Sequence, residues 1–178
     1  MKEQDYIYSP ERKARTHGVV VLIVKYVDGG VQVLYGSQLF NNRRGESGEG
    51  SLVGEAREGR ETKKQTLERG LREELGLENL GKVVIPVNLR DAWVGSTRFL
   101  PGVNAQVFCL QWRGQSGEVP VREVPNGEQT ANDFIAGGWQ SLKELPELAG
   151  LRQGMKNVAE SILANPGVIK RIERIAKG

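Results

Sequence analysis

Glu73 and Glu74 are neighbouring carboxylates on a stretch whose spacing predicts a helix. Leu67, Leu71 and Leu75 recur at i, i+4 and i+8 and so define one apolar face. At about 100° per residue, Glu74 falls beside that stripe and Glu73 roughly 100° further round. The helix is predicted to end at Gly76, a normal helix C-cap. Adjacent acids repel each other unless a cation sits between or near them. A hard cation such as Mg²⁺ takes oxygen ligands of this kind, alongside substrate phosphates and waters. The plainer reading of the same charges is a solvated helix face.

The run from Gly54 to Leu77 resembles a Nudix box, of the form G-x5-E-x7-R-E-U-x-E-E-x-G-U, where U is a bulky aliphatic. Glu61, Arg69, Leu71, Glu73, Glu74, Gly76 and Leu77 stand in register with it, and Ser51-Leu52-Val53-Gly54 resembles the strand that leads into the box. Two positions depart from the pattern. Glu55 stands where the box has its first glycine, with Gly54 one place early, and Gly70 stands where an acid follows the arginine. On the wheel Gly70 lies between Glu73 and Glu74, so the middle carboxylate is missing. Glycine inside a helix also costs about 1 kcal/mol relative to alanine.

The resemblance implies a Nudix-like α/β/α sandwich and hydrolysis, dependent on Mg²⁺ or Mn²⁺, of a nucleoside diphosphate linked to another moiety. It implies Glu73 and Glu74 as catalytic metal-binding acids and Glu61 with Arg69 as a pair bracing the box. Glu58 is a substitute acid, and Glu128 or Asp133 a further metal ligand between which the sequence does not choose. Gly70 and Glu55 favour a rival of a different class: a Nudix-like module that binds a nucleotide, RNA or protein without cutting it.

The elements that must position these groups follow from hydrophobic patterning. Val19-Val20-Val21-Leu22-Ile23-Val24 predicts a β-branched strand, Asp28-Gly29-Gly30 a hairpin turn, and Val31 to Gly36 the returning strand. His17, the only histidine, stands at the strand entry, where a general-base role competes with simple hydrogen bonding. The segment 41–50 is a glycine-rich loop whose Arg43 and Arg44 match phosphate oxygens in pairs. Lys82 to Val87 and Asn104 to Trp112 read as strands. Between them the Arg90–Arg98 stretch sets Trp93 among arginines, a combination able to stack a base and pair with phosphate, or equally to close the core. Ser141 to Leu145 predicts a short helix, and a tryptophan-ended strand followed by such a helix also resembles the Nudix fold. Gly154–Ala164 and Val168–Lys177 predict two further helices. The second opposes an apolar stripe (Val168, Ile169, Ile172, Ile175) to Lys170, Arg171, Arg174 and Lys177 and is expected to pack on the domain rather than on a membrane or nucleic acid.

Strand pairs with one middle helix and late helices give an α+β or layered α/β/α domain with a mixed sheet. The 178 residues are expected to form a single domain, with 1–15 a polar arm and 154–178 its C-terminal helices. Twenty-five basic and 22 acidic residues leave +3. That near balance suits an anionic, nucleotide-type small molecule and does not single out nucleic acid. The lone cysteine, Cys109, excludes an internal disulfide and a cysteine-rich zinc site. With no apolar signal core and no run of about 20 apolar residues, a cytoplasmic protein without membrane contact is expected. The oligomeric state, a homodimer among the options, stays open.

Overall fold

The computed structural model describes residues 6–7, 15–38, 50–121 and 134–178, and of residues 15–17 the backbone alone. Its organising element is strand β1 (Arg15–Val27). Val19, Val21 and Ile23 face one hydrophobic cluster and Val20, Leu22 and Val24 the other. A strand apolar at successive positions is stable only when both faces are covered. The turn into β2 (Gly30–Gln38) is carried by Asp28 and Gly29, both at positive φ (50° and 80°), the backbone that a two-residue hairpin of this twist requires.

The remaining strands are β3 (Gly50–Ser51), β4 (Val53–Ala56), β5 (Val83–Val84), β6 (Trp93–Leu100), β7 (Val103–Trp112) and β8 (Phe134–Ser141). They join one mixed sheet with the path β3-β2-β1-β7-β5, to which β8 adds on β2, β4 on β1 and β6 on β7. Only β1 and β7 run parallel among these pairs. β1 changes partner along its length: Val24–Val27 pair with β2, while Gly18–Val21 pair with β4. That exchange brings β4 onto the centre of the sheet just before the chain enters α1 (Lys63–Leu75).

Leu67, Leu71 and Leu75 of α1 are fully buried against Val19, Val21, Ile23 and Val53. The short helix α2 (Leu77–Leu80) follows. α3 (Gln153–Leu163) and α4 (Pro166–Lys177) cover the opposite face through Met155, Val158, Ile162, Val168 and Ile172. The architecture is thus an α+β fold in which helices sandwich a mixed sheet. The apolar stripe of α4 is taken up by this core. Arg171 stacks over Tyr6 at 4.6 Å and donates to the backbone oxygens of Arg90 and Asp91. No described helix is long and apolar enough to cross a membrane.

Two expectations need correction. The helix over Ser141–Leu145 is not formed. Ser141 still pairs with Gln32 and the Leu142 amide donates to Val31 O, so the chain is held to β2. Only a 3₁₀ turn, Leu145–Glu147, follows, with Pro146 near its start. The strand over Lys82–Val87 shrinks to Val83–Val84, since Pro86 cannot donate to a ladder. The stretch around Trp93 is a strand, β6, paired with β7.

Candidate functional site

Thr62 caps α1 by accepting from the Gln65 amide, while Gln65 Oε1 accepts from the Thr62 amide. This reciprocal box fixes where the loop ends and the helix begins. Just before it, Glu61 turns its carboxylate onto Arg69, nearly two turns into α1. Arg69 Nε donates to Glu61 Oε1 at 2.9 Å and Nη2 to Glu61 Oε2 at 3.1 Å, a two-point fork. The same Nη2 donates to Ala56 O at 2.7 Å, so one guanidinium joins the end of β4, the loop and the helix. Glu61 is further held by Thr66 Oγ1 and by the Glu58 amide.

The Arg69 bonds, with the Glu58 amide next in weight, hold the Glu61 carboxyl down at about 2. A carboxyl depressed in the folded state contributes stability that is complete above the ordinary range near 4.3 and is lost as pH falls towards about 2. Glu61→Gln is therefore expected to flatten the melting-temperature profile between roughly pH 4.5 and 2. Thermal melts of both proteins across that window check it, and an equally steep profile for the variant would remove Glu61 from the acid-sensitive set.

Three more carboxylates reach the other side of Arg69. Its Nη1 lies 3.1 Å from Glu73 Oε2, 3.2 Å from Glu55 Oε1 and 3.7 Å from Glu58 Oε1. Four carboxylates against one guanidinium leave an excess of three negative formal charges. Glu58 and Glu73 stand at the rim, 72% and 51% exposed, whereas the Glu55 side chain is only 18% exposed. Burial pushes the Glu55 carboxyl above its usual range, although Arg69 pulls the other way.

Glu74 points elsewhere. It is 6% exposed, and its Oε2 accepts the Phe134 amide at 2.8 Å, tying α1 to the start of β8. Glu73 thus meets Arg69, and Glu74 meets the start of β8. Their neighbour Gly70 is buried, and a Cβ there would lie 2.7 Å from Glu55 Cβ and 3.3 Å from Glu55 Cγ. The Glu55 side chain fills the space that a side chain at residue 70 would need. An acid added at Gly70 has no room while Glu55 stands.

Glu55 is the residue that sequence reasoning missed as a candidate acid. Its signal was the simultaneous departure at positions 55 and 70. Trp93 is half-buried; its Nε1 donates to Gln106 Oε1 at 2.9 Å, and the Tyr6 ring lies 5.0 Å away. Gln106 Oε1 also accepts Lys63 Nζ, so Trp93 is knitted to the N-terminal turn of α1. Arg43, Arg44, Glu128, Asp133 and the His17 side chain lie outside the described residues.

Among the described residues no group of three or more His, Cys, Asp or Glu side chains is placed to hold a metal ion by itself. Mg²⁺ does not need one, because it is commonly held by one or two carboxylates with phosphates and waters. Hard oxygen donors in charge excess, two of them exposed at the rim, fit such an ion.

No family model matches the sequence, and no curated protein does. Solved structures do match in shape. A Nudix hydrolase from M. smegmatis, RenU, superposes with a TM-score of 0.50 at 18% identity, covering 89% of this chain and 92% of that one. A protein from Jonesia denitrificans described as a possible asymmetric diadenosine tetraphosphate hydrolase superposes at 0.54 with 17% identity, covering 89% and 97%. The fold of this chain is that of the Nudix hydrolases.

Proposed function

We propose that the protein is a pyrophosphohydrolase, dependent on Mg²⁺ or Mn²⁺, acting on a nucleoside diphosphate linked to another moiety. The observation that carries this reading is the knot at Arg69. One guanidinium forks onto Glu61 and gathers Glu55, Glu58 and Glu73 at the junction of β4, loop and α1. On a Nudix fold this is the place where a diphosphate and its cation would sit.

Glu73 and Glu74 are the box acids assigned to the cation, and Glu58 is a further carboxylate able to swing in from the rim. Mg²⁺ or Mn²⁺, when bound there, would neutralise the diphosphate and lower the pKa of a coordinated water. The chain's own part is positional. The Glu61–Arg69 fork fixes the loop against the helix, and the Glu74–Phe134 bond fixes the helix against the sheet. Rigid support of this kind keeps reacting groups within the narrow distances that displacement at phosphorus requires.

The test is a hydrolysis screen with and without Mg²⁺ or Mn²⁺ over nucleoside triphosphates, ADP-ribose, dinucleoside polyphosphates and capped RNA. Metal-dependent release of a nucleoside monophosphate or diphosphate product from at least one class is expected, and it should vanish with chelator. Binding without turnover on every class would move the protein to the rival reading, a Nudix-like nucleotide-, RNA- or protein-binding module.

A further inference from the structure

Strand alternation decides where Glu55 points. Val53 faces the α1 side of the sheet and packs with Leu67 and Leu71, whereas a Cβ on Gly54 would face Met155 on the opposite side. Glu55, two residues after Val53, therefore returns to the α1 side. There it meets Gly70, the one residue of α1 that carries no side chain. The hypothetical Cβ at Gly70 lies 2.7 Å from the real Cβ of Glu55, a separation that two side chains never share.

We propose that Glu55 and Gly70 are an exchanged pair, in which Glu55 supplies from strand β4 the metal-facing carboxylate that the helix lacks at residue 70. The inference rests on the hydrolase reading and adds to it a residue outside the box acids. The box pattern has a glycine at position 55 and an acid at position 70, and this chain has the acid at 55 and the glycine at 70. The exchange conserves one carboxylate and one bare backbone between two positions that touch. It also explains Gly70, which helix propensity disfavours. A side chain larger than hydrogen at residue 70 would displace the acid.

The Glu55 carboxylate ends in the right company. Its Oε1 and Glu73 Oε2 approach the same nitrogen, Arg69 Nη1, at 3.2 and 3.1 Å. Oε1 also accepts the Ala56 amide at 2.9 Å, which fixes its rotamer. The Glu55 side chain is only 18% exposed and shares Arg69 with Glu73 across the contact between β4 and α1.

The experiment uses the full chain as wild type, Gly70→Glu, Glu55→Gly, the double variant Glu55→Gly/Gly70→Glu, and Glu55→Gln. Melting temperature without metal reads the contact, and Mn²⁺ titration followed by electron paramagnetic resonance reads the site. Gly70→Glu alone is expected to melt lower by about 5 °C or more, because two side chains compete for one space. Adding Glu55→Gly should return most of that loss. Glu55→Gln, which keeps shape and removes charge, should weaken Mn²⁺ binding about tenfold or more, while the double variant binds close to wild type.

If the double variant melts no higher than Gly70→Glu, the exchange is wrong. If wild type binds Mn²⁺ and Glu55→Gln binds it equally well, Glu55 is not a metal-facing group and the hydrolase reading survives without it. If wild type itself binds no Mn²⁺ and hydrolyses nothing, the hydrolase reading falls and the role of Glu55 falls with it.

Discussion

Arg69→Ala is expected to lower the melting temperature by about 5 °C or more. The guanidinium makes two bonds to Glu61, one to the Ala56 carbonyl and one to Glu73, and lies within ion-pair distance of Glu55 and Glu58. Its removal unties loop from helix and leaves four carboxylates facing one another without their common cation. The site is only partly buried, so the loss should stay below that of breaking a fully buried pair. Arg69→Lys should recover little, since one ammonium cannot reproduce a planar fork that bonds Glu61 and Ala56 together. Melting curves of the three proteins at neutral pH decide the matter. An unchanged melting temperature, accompanied by weaker nucleotide binding alone, would reassign Arg69 from the scaffold to the ligand.

Glu74→Gln is expected to leave the fold in place and to cut metal-dependent hydrolysis by about 10²–10⁴-fold. Glutamine keeps an oxygen for the Phe134 amide, so the tie between α1 and β8 persists, while the charge offered to the cation is gone. Glu74→Leu removes the acceptor as well. It leaves the Phe134 amide unpaired at a buried seam, at a cost of about 1–3 kcal/mol. The pair of variants separates two roles that one residue is asked to fill. Loss of turnover in both, with a lower melting temperature only in Glu74→Leu, supports both roles. Full turnover in Glu74→Gln would make Glu74 a purely structural acid, bound to β8 rather than to a cation.

Much of the fold is legible because it is written in local periodicity. Leu67, Leu71 and Leu75 mark α1, Gly76 ends it, and the observed helix runs Lys63–Leu75 as that pattern implies. The run from Val19 to Val24 could only be a central strand, and the Asp28-Gly29 turn follows from its backbone requirement. The late helices follow from apolar stripes and from the break at Pro166. The Glu61–Arg69 bond is legible through the resemblance to the box, since spacing of eight residues across a loop carries no periodic signal.

Other features depend on partners far along the chain. β6 has Gly95, Ser96, Thr97 and Arg98 in its middle, with apolar residues only at its two ends, and becomes a strand because β7 pairs with it. The Ser141–Leu145 helix fails because β2 takes its amides. A helical wheel places Glu73 and Glu74 on one edge of α1 but does not say what packs against that edge. Tertiary packing sent Glu73 to Arg69 and Glu74 to a strand sixty residues later. The sequence by itself determined that position 70 has no side chain and that position 55 carries an acid. Only the packing of β4 on α1 decided that these are one fact, because a close approach between backbone and side chain is a property of two elements and of neither alone.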